Sequence, residues 1–162
     1  MKNFGLFLYC FVPVAVAMAL GAYFNNEAID GWYQVLQKPV LTPPDYVFPI
    51  VWNIIYLMII ITFFIAFKSL TDGKDILTAK KYFFGQLILH VLWTFSFFYL
   101  GQAALGILII ILLDSTVLYN IFWFWNKKRI CAWLLIPYYC WLLLATWLNI
   151  GYVYLHGYVI NN

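Results

Sequence analysis

Five apolar runs, Leu6–Phe24, Val47–Phe67, Tyr82–Leu100, Ala103–Trp125 and Ile130–Leu155, leave this chain little choice of fold. Each approaches the roughly 20 residues that a helix needs to cross a hydrocarbon core. Of the chain's residues 66% are hydrophobic and 9% charged, against roughly a quarter charged in ordinary soluble domains. The expectation is an all-α membrane protein with a single domain over residues 1–162, a five-transmembrane-helix bundle with a proline-rich loop between helices 1 and 2. Short turns join spans two to five, so consecutive helices are expected as antiparallel neighbours. No internal repeat is evident, and five spans do not divide into two inverted halves, which argues against a repeat-built transporter.

Lys2, Lys68, Lys74, Lys80, Lys81, Lys127, Lys128 and Arg129 fall on one side of such a bundle, and Lys38 alone on the other. The positive-inside rule then places the N-terminus inside, with the C-terminus and loop 25–46 outside. The first run resembles a signal peptide at Lys2 and at Ala17-Met18-Ala19, but it is long for one and is read as a retained helix. Ala15/Ala19 and Ala17/Gly21 give it two small-xxx-small pairs, suited to close packing within the bundle or between copies. Cys10, Cys131 and Cys140 are scattered in apolar stretches without metal-type spacing, so they read as small hydrophobes rather than a disulfide framework. The net charge of +3, confined to loops, suggests no nucleic-acid partner.

The stretch "WYQVLQKPVLTPPDYVFPIVW", residues 32–52, holds four of the six prolines. Proline removes a backbone donor and pushes the preceding residue out of helical conformation, so Thr42-Pro43-Pro44 is expected to be extended. Such backbone cannot face lipid and must rest on protein or line a cavity. Trp32 and Tyr33 are expected to begin a short helix that Lys38-Pro39 ends, and the segment reads as a rigid flap over one mouth of the bundle. Pro49 suits the first turn of the second helix. Trp123, Trp125 and Trp133 read as interfacial belt residues; Trp32, Trp52, Trp93, Trp141 and Trp147 recur on several elements, some at greater depth.

Three groups of residues together resemble a known family. They are Trp32-Tyr33, Leu36, Lys38-Pro39 and Pro43-Pro44 followed by Val51-Trp52 and Tyr56; then Gln86-Leu87, Trp93 and Phe97-Phe98; then Pro137, Tyr138, Trp141, Ala145-Thr146 and Leu148-Asn149. In this order the chain is similar to the translocator protein family, also called tryptophan-rich sensory proteins or peripheral benzodiazepine receptors. The resemblance implies a five-helix membrane protein, commonly a homodimer, that binds porphyrins such as protoporphyrin IX and related hydrophobic ligands. It needs no cofactor; porphyrin or heme is the ligand. Carried over to this chain, the pocket involves Trp32, Tyr33, Pro43, Trp52, Trp141 and Ala145, and His90 and Trp93 are added from the third span. Aromatic faces suit a flat macrocycle, and a small residue one turn from Trp141 leaves room for a ring.

This chain departs from the family twice. His90 stands where the family usually has asparagine, which adds a titratable group and a minority candidate for heme iron; the main reading is a neutral histidine hydrogen-bonded inside the bundle. After Leu148 and Tyr152 comes Val153-Tyr154-Leu155-His156-Gly157, without the basic residue of the weak cholesterol motif. The incomplete motif argues against cholesterol, and with the short basic loops it points to a bacterial member in the cell membrane. Asp114, near the middle of the fourth span, is expected to face the bundle interior. It either pairs with His90 or bonds as a protonated acid to a hydroxyl such as Ser115, Thr116 or one on a neighbouring helix.

Three functions follow in order: a membrane receptor or carrier for tetrapyrroles, in sensing, transport or disposal; a light-dependent porphyrin-degrading protein using Trp52 and Trp141, whose indoles are oxidisable; and a proton-coupled transporter using Asp114 and His90. No nucleophile–base–orienter set is present, so an enzyme is the less favoured reading.

Overall fold

The computed structural model describes residues 3–29, 31, 33 and 36–157. They form five helices: α1 (Asn3–Ile29), α2 (Val47–Ser69), α3 (Gly73–Thr94), α4 (Ala103–Lys127) and α5 (Arg129–His156). A π-helical turn, Phe95–Tyr99, continues α3. Even the 22-residue α3 is about 33 Å long at 1.5 Å per residue. That exceeds the ~30 Å hydrocarbon core, and each helix has the length and apolarity of a membrane span. The chain is a multi-pass integral membrane protein.

The helices close a ring in the order α1, α2, α5, α4, α3. Most consecutive helices are neighbours as expected. The exception is α2 and α3, which touch less than α2 and α5 do. Closing the ring brings the last helix between the second and the fourth. The basic end is tied together by Lys127 Nζ on Asp75 Oδ2 at 2.8 Å and by Lys80 Nζ, 5.8 Å from the Tyr9 ring centroid. Next to it, a core of Cys10, Val14, Ile59, Phe63, Phe83, Val117, Phe124 and Leu135 fills that half of the ring.

The helices extend beyond the apolar runs, most at α3. Its expected start was Tyr82, yet it begins at Gly73, where the Asp72 side chain caps the helix by accepting from the Lys74 amide at 2.7 Å. Lys74, Asp75, Lys80 and Lys81 make these turns too polar to count as a span, but they remain good helix formers. At the other end of α3, the amide of Leu100 bonds the Phe95 carbonyl at 3.0 Å and that of Gln102 bonds the Ser96 carbonyl at 2.9 Å. The wider turn brings Phe97 against Gly106 of α4, where an added Cβ would stand 3.1 Å from Phe97 Cβ and 3.2 Å from Asn149 Oδ1.

Of the small-residue pairs in α1, Ala17 and Gly21 face inward and Ala19 faces outward. A Cβ at Gly21 would lie 3.6 Å from Tyr56 Oη and 3.8 Å from His90 Nε2. This pair packs within one chain. Cys10 and Cys131 are buried, Cys140 is exposed on the outer surface, and all three are free thiols.

Candidate ligand cavity

At the end of the ring opposite the basic loops the side chains do not meet, and a cavity of about 470 Å³ remains. This is within the range of small-molecule sites. Met18, Gly21, Ala22, Asn25 and Asn26 of α1 form one wall, and Trp52, Asn53 and Tyr56 of α2 the next. His90 and Trp93 of α3, Phe97 and Phe98 of the π-helical turn, and Trp141, Ala145 and Asn149 of α5 complete it.

Trp52 is the hub of the cavity. Its ring centroid is 4.6 Å from that of His90, 6.1 Å from Trp93 and 6.4 Å from Trp141. The last of these meets it nearly at right angles, at 87°. Edge-to-face and offset contacts at such separations are the favoured aromatic geometry. Two hydrogen bonds join one helix to another across the walls, and a third lies within α5. Tyr56 Oη and His90 Nε2 are 2.7 Å apart. Trp93 Nε1 donates to Asn149 Oδ1 at 3.2 Å, while Asn149 Nδ2 donates to the Ala145 carbonyl at 2.8 Å.

The proline-rich segment is fixed to α5 at three points. Trp147 Nε1 donates to the Val40 carbonyl at 3.1 Å. His156 Nε2 is 2.9 Å from the Gln37 carbonyl. Pro39 lies directly on Gly151, where an added Cβ would come within 2.6 Å of Pro39 Cβ. The chain turns sharply at this point: the Thr42 amide and hydroxyl both donate to the Pro39 carbonyl, at 3.3 and 2.7 Å, and Leu41 takes φ of 70°. Lys38 pairs with Asp45 at 2.6 Å and lies 5.8 Å from the Tyr33 ring centroid. Burial raises the Tyr33 phenol above its ordinary pKa, so it is neutral at physiological pH.

Of the residues read from the sequence, Tyr33, Trp52, His90, Trp93, Trp141 and Ala145 line this one cavity. Trp32 and residues 34–35 of the short helix expected there lie outside the described residues, and residues 36–38 of it are not helical. Pro43 is half-buried and is not among the lining residues. The turn at Pro39–Thr42 makes Pro39 the proline that packs on the bundle, leaving Pro43 in the segment beyond. Trp147 is a loop anchor rather than a wall. Asn149, Asn53, Tyr56 and Tyr152 were missed as site residues; Asn149 could have been found as a polar side chain inside an apolar span.

Asp114 and His90 have separate partners. Asp114 Oδ2 accepts from Thr146 Oγ1 at 2.7 Å, the neighbouring-helix hydroxyl among the options for this acid. Ser115 and Thr116 donate instead to their own helix, at the Ile111 and Leu112 carbonyls. Among the described residues no group of three or more His, Cys, Asp or Glu is placed to hold a metal, and no cysteine lines the cavity. The arrangement is an enclosure with largely aromatic and apolar walls.

The family described as TspO/MBR matches residues 9–155. The chain is similar to a tryptophan-rich protein TspO of Archaeoglobus fulgidus, 34% identical over 80% of this chain and 82% of that protein. It is also similar to the protein CrtK of Rhodobacter capsulatus, 31% identical over 89% and 88%. With the human translocator protein the identity is 27% over 83% of this chain and 82% of the relative.

Proposed function

The chain belongs to the TspO/MBR family, and on that premise we propose that it is a membrane receptor or carrier for tetrapyrroles, with protoporphyrin IX as the reference ligand. Membership supports a membrane role of the sensory or transport type. The observation that carries the finer reading is the cavity of about 470 Å³ with Trp52, Trp93 and Trp141 on its walls. Indole faces at three orientations offer a planar macrocycle both stacking and edge contacts, each worth about 0.5–1.5 kcal/mol beyond area burial. Titration of the purified chain with protoporphyrin IX, heme and cholesterol, followed by tryptophan fluorescence, tests it. The porphyrin is expected to quench saturably and cholesterol to leave the signal unchanged; absence of quenching by either tetrapyrrole overturns the proposal.

The proposed setting is a bacterial cell membrane, with the basic end inside and the loop with the cavity mouth outside, in a homodimer as in the resembling family. Lys68, Lys74, Lys80, Lys81, Lys127, Lys128 and Arg129 share one end of the bundle, the pattern that sets topology. A reporter fused after Asn162 is expected on the outer face, and a reporter found inside reverses the orientation.

A further inference from the structure

Toward the basic end from the cavity lie buried polar side chains that are not among its lining residues. Thr62 on α2, Gln86 on α3 and Asn120 on α4 are each 0% exposed. Thr62 Oγ1, both amide atoms of Gln86 and both of Asn120 have no hydrogen-bond partner among the described residues, and neither does His90 Nδ1. Buried polar atoms are nearly always paired. A set of them left dry in an apolar core is strongly disfavoured.

Their positions along three helices put them near one level of the ring. On the basic side Phe63, Phe83 and Phe124 form a layer, with ring centroids 4.8 Å apart for Phe63–Phe83 and 5.8 Å for Phe63–Phe124. Each polar residue stands on the cavity side of one of these rings. Thr62 precedes Phe63 on a helix running toward the basic end, Gln86 is one turn beyond Phe83 on a helix running away from it, and Asn120 is one turn before Phe124. Cys131 Sγ, donating to the Thr62 carbonyl at 3.4 Å, brings α5 to the same level. Gln86 in turn lies one turn below His90 on the buried face of α3. The phenylalanine rings thus lie toward the basic end from these residues, and His90 lies toward the cavity from Gln86.

We propose that Thr62, Gln86 and Asn120 form an internal water site that continues the cavity floor and accepts the Nδ1–H of His90. A buried water needs two to four polar partners, and two carboxamides, a hydroxyl and an imidazole N–H supply them. The tautomer follows. With the proton on Nδ1, Nε2 is an acceptor, and the Tyr56 hydroxyl donates to it across the 2.7 Å contact. Tyr56 is then committed to His90 rather than to a ligand. The floor therefore presents ring carbon, not free donors, to whatever enters. Coordination of heme iron by Nε2 would first have to break the Tyr56 bond.

This inference stands apart from the tetrapyrrole reading, since its test uses no ligand and a failed porphyrin titration leaves it intact. The purified full chain is examined by magnetic relaxation dispersion for long-lived water, by ¹⁵N NMR of His90, and by thermal unfolding of Gln86→Met, Asn120→Leu and the double variant. The expected results are a long-lived internal water and the Nδ1–H tautomer in the unsubstituted chain. Each single variant loses the water signal, shifts the Nδ1 resonance and melts several degrees lower, and the double variant loses less than the two separate decreases combined. Absence of long-lived water, an Nε2–H tautomer, strictly additive losses, or single variants that melt higher because an orphaned amide has been removed would each overturn it.

Discussion

Asn149 shows how one side chain on a wall can set the geometry of the cavity. Its amide is used at both ends, accepting from the Trp93 indole at 3.2 Å and donating to the Ala145 carbonyl at 2.8 Å. Trp93 is 4% exposed, so its N–H has no recourse to solvent if that acceptor is lost. Asn149→Leu keeps the volume and strands the indole, a penalty of about 1–3 kcal/mol. The expected outcome is a lower unfolding midpoint together with a blue-shifted, less quenchable tryptophan emission. An unchanged midpoint would mean that Trp93 is held by packing alone. Trp93 itself is legible in the sequence as an indole too deep for an interfacial belt. Its partner, 56 positions away, belongs to a motif that marks the family but does not state which atoms meet.

At the scale of elements, the proline-rich segment works as a cap because α5 leaves a place for it. Gly151 has no side chain where Pro39 rests, and a methyl there would stand 2.6 Å from Pro39 Cβ and 2.8 Å from Cγ. Neither partner can yield easily, since one is a ring and the other a helix backbone. Gly151→Ala is therefore expected to lift the segment, weakening the Trp147–Val40 and His156–Gln37 contacts, at about 1–3 kcal/mol for an overpacked contact. Limited proteolysis at Lys38 should accelerate while the five helices persist by circular dichroism; unaltered cleavage would show that the cap does not depend on this contact. A stiff flap over one mouth was readable from Pro39, Pro43 and Pro44. Which of these prolines would touch the bundle was not readable, because that depends on a turn closed by Thr42 and on a glycine in another helix. The bounds of α2, α4 and α5 were legible to within two residues, since in those helices the helical segment nearly coincides with the apolar one. At α3 the two differ: helix formation follows backbone hydrogen bonding and the Asp72 cap, whereas hydropathy reports contact with lipid. The π-helical turn left no mark in the residue pattern; it accompanies the close approach of Phe97 to Gly106, a glycine in another helix.

Over the whole molecule, the ring of five helices is packed at its basic end and hollow at the other. The packed half is a continuous core in which Phe63, Phe83 and Phe124 are fully buried. The hollow half forgoes that burial and the stability it would bring, a pattern expected where a site is kept open for use rather than for folding. Ala145 lies on the wall of the hollow, one turn along α5 from Trp141. Ala145→Phe sends a ring into space that the fold leaves unfilled, so stability and binding should change in opposite directions. Burial of the new ring is expected to raise the unfolding midpoint or leave it unchanged, since apolar area is removed from water or lipid without displacing a neighbour. Affinity for protoporphyrin IX should fall by about tenfold or more, equivalent to ~1.4 kcal/mol, because a flat ligand and an added phenyl ring compete for the same volume. Thermal unfolding and fluorescence titration of the same preparation separate the two effects. A variant that melts lower and binds less has only been damaged, and Ala145→Val, with a smaller intrusion, then reports on the cavity. A stable variant that binds undiminished would place the macrocycle outside the ring of helices.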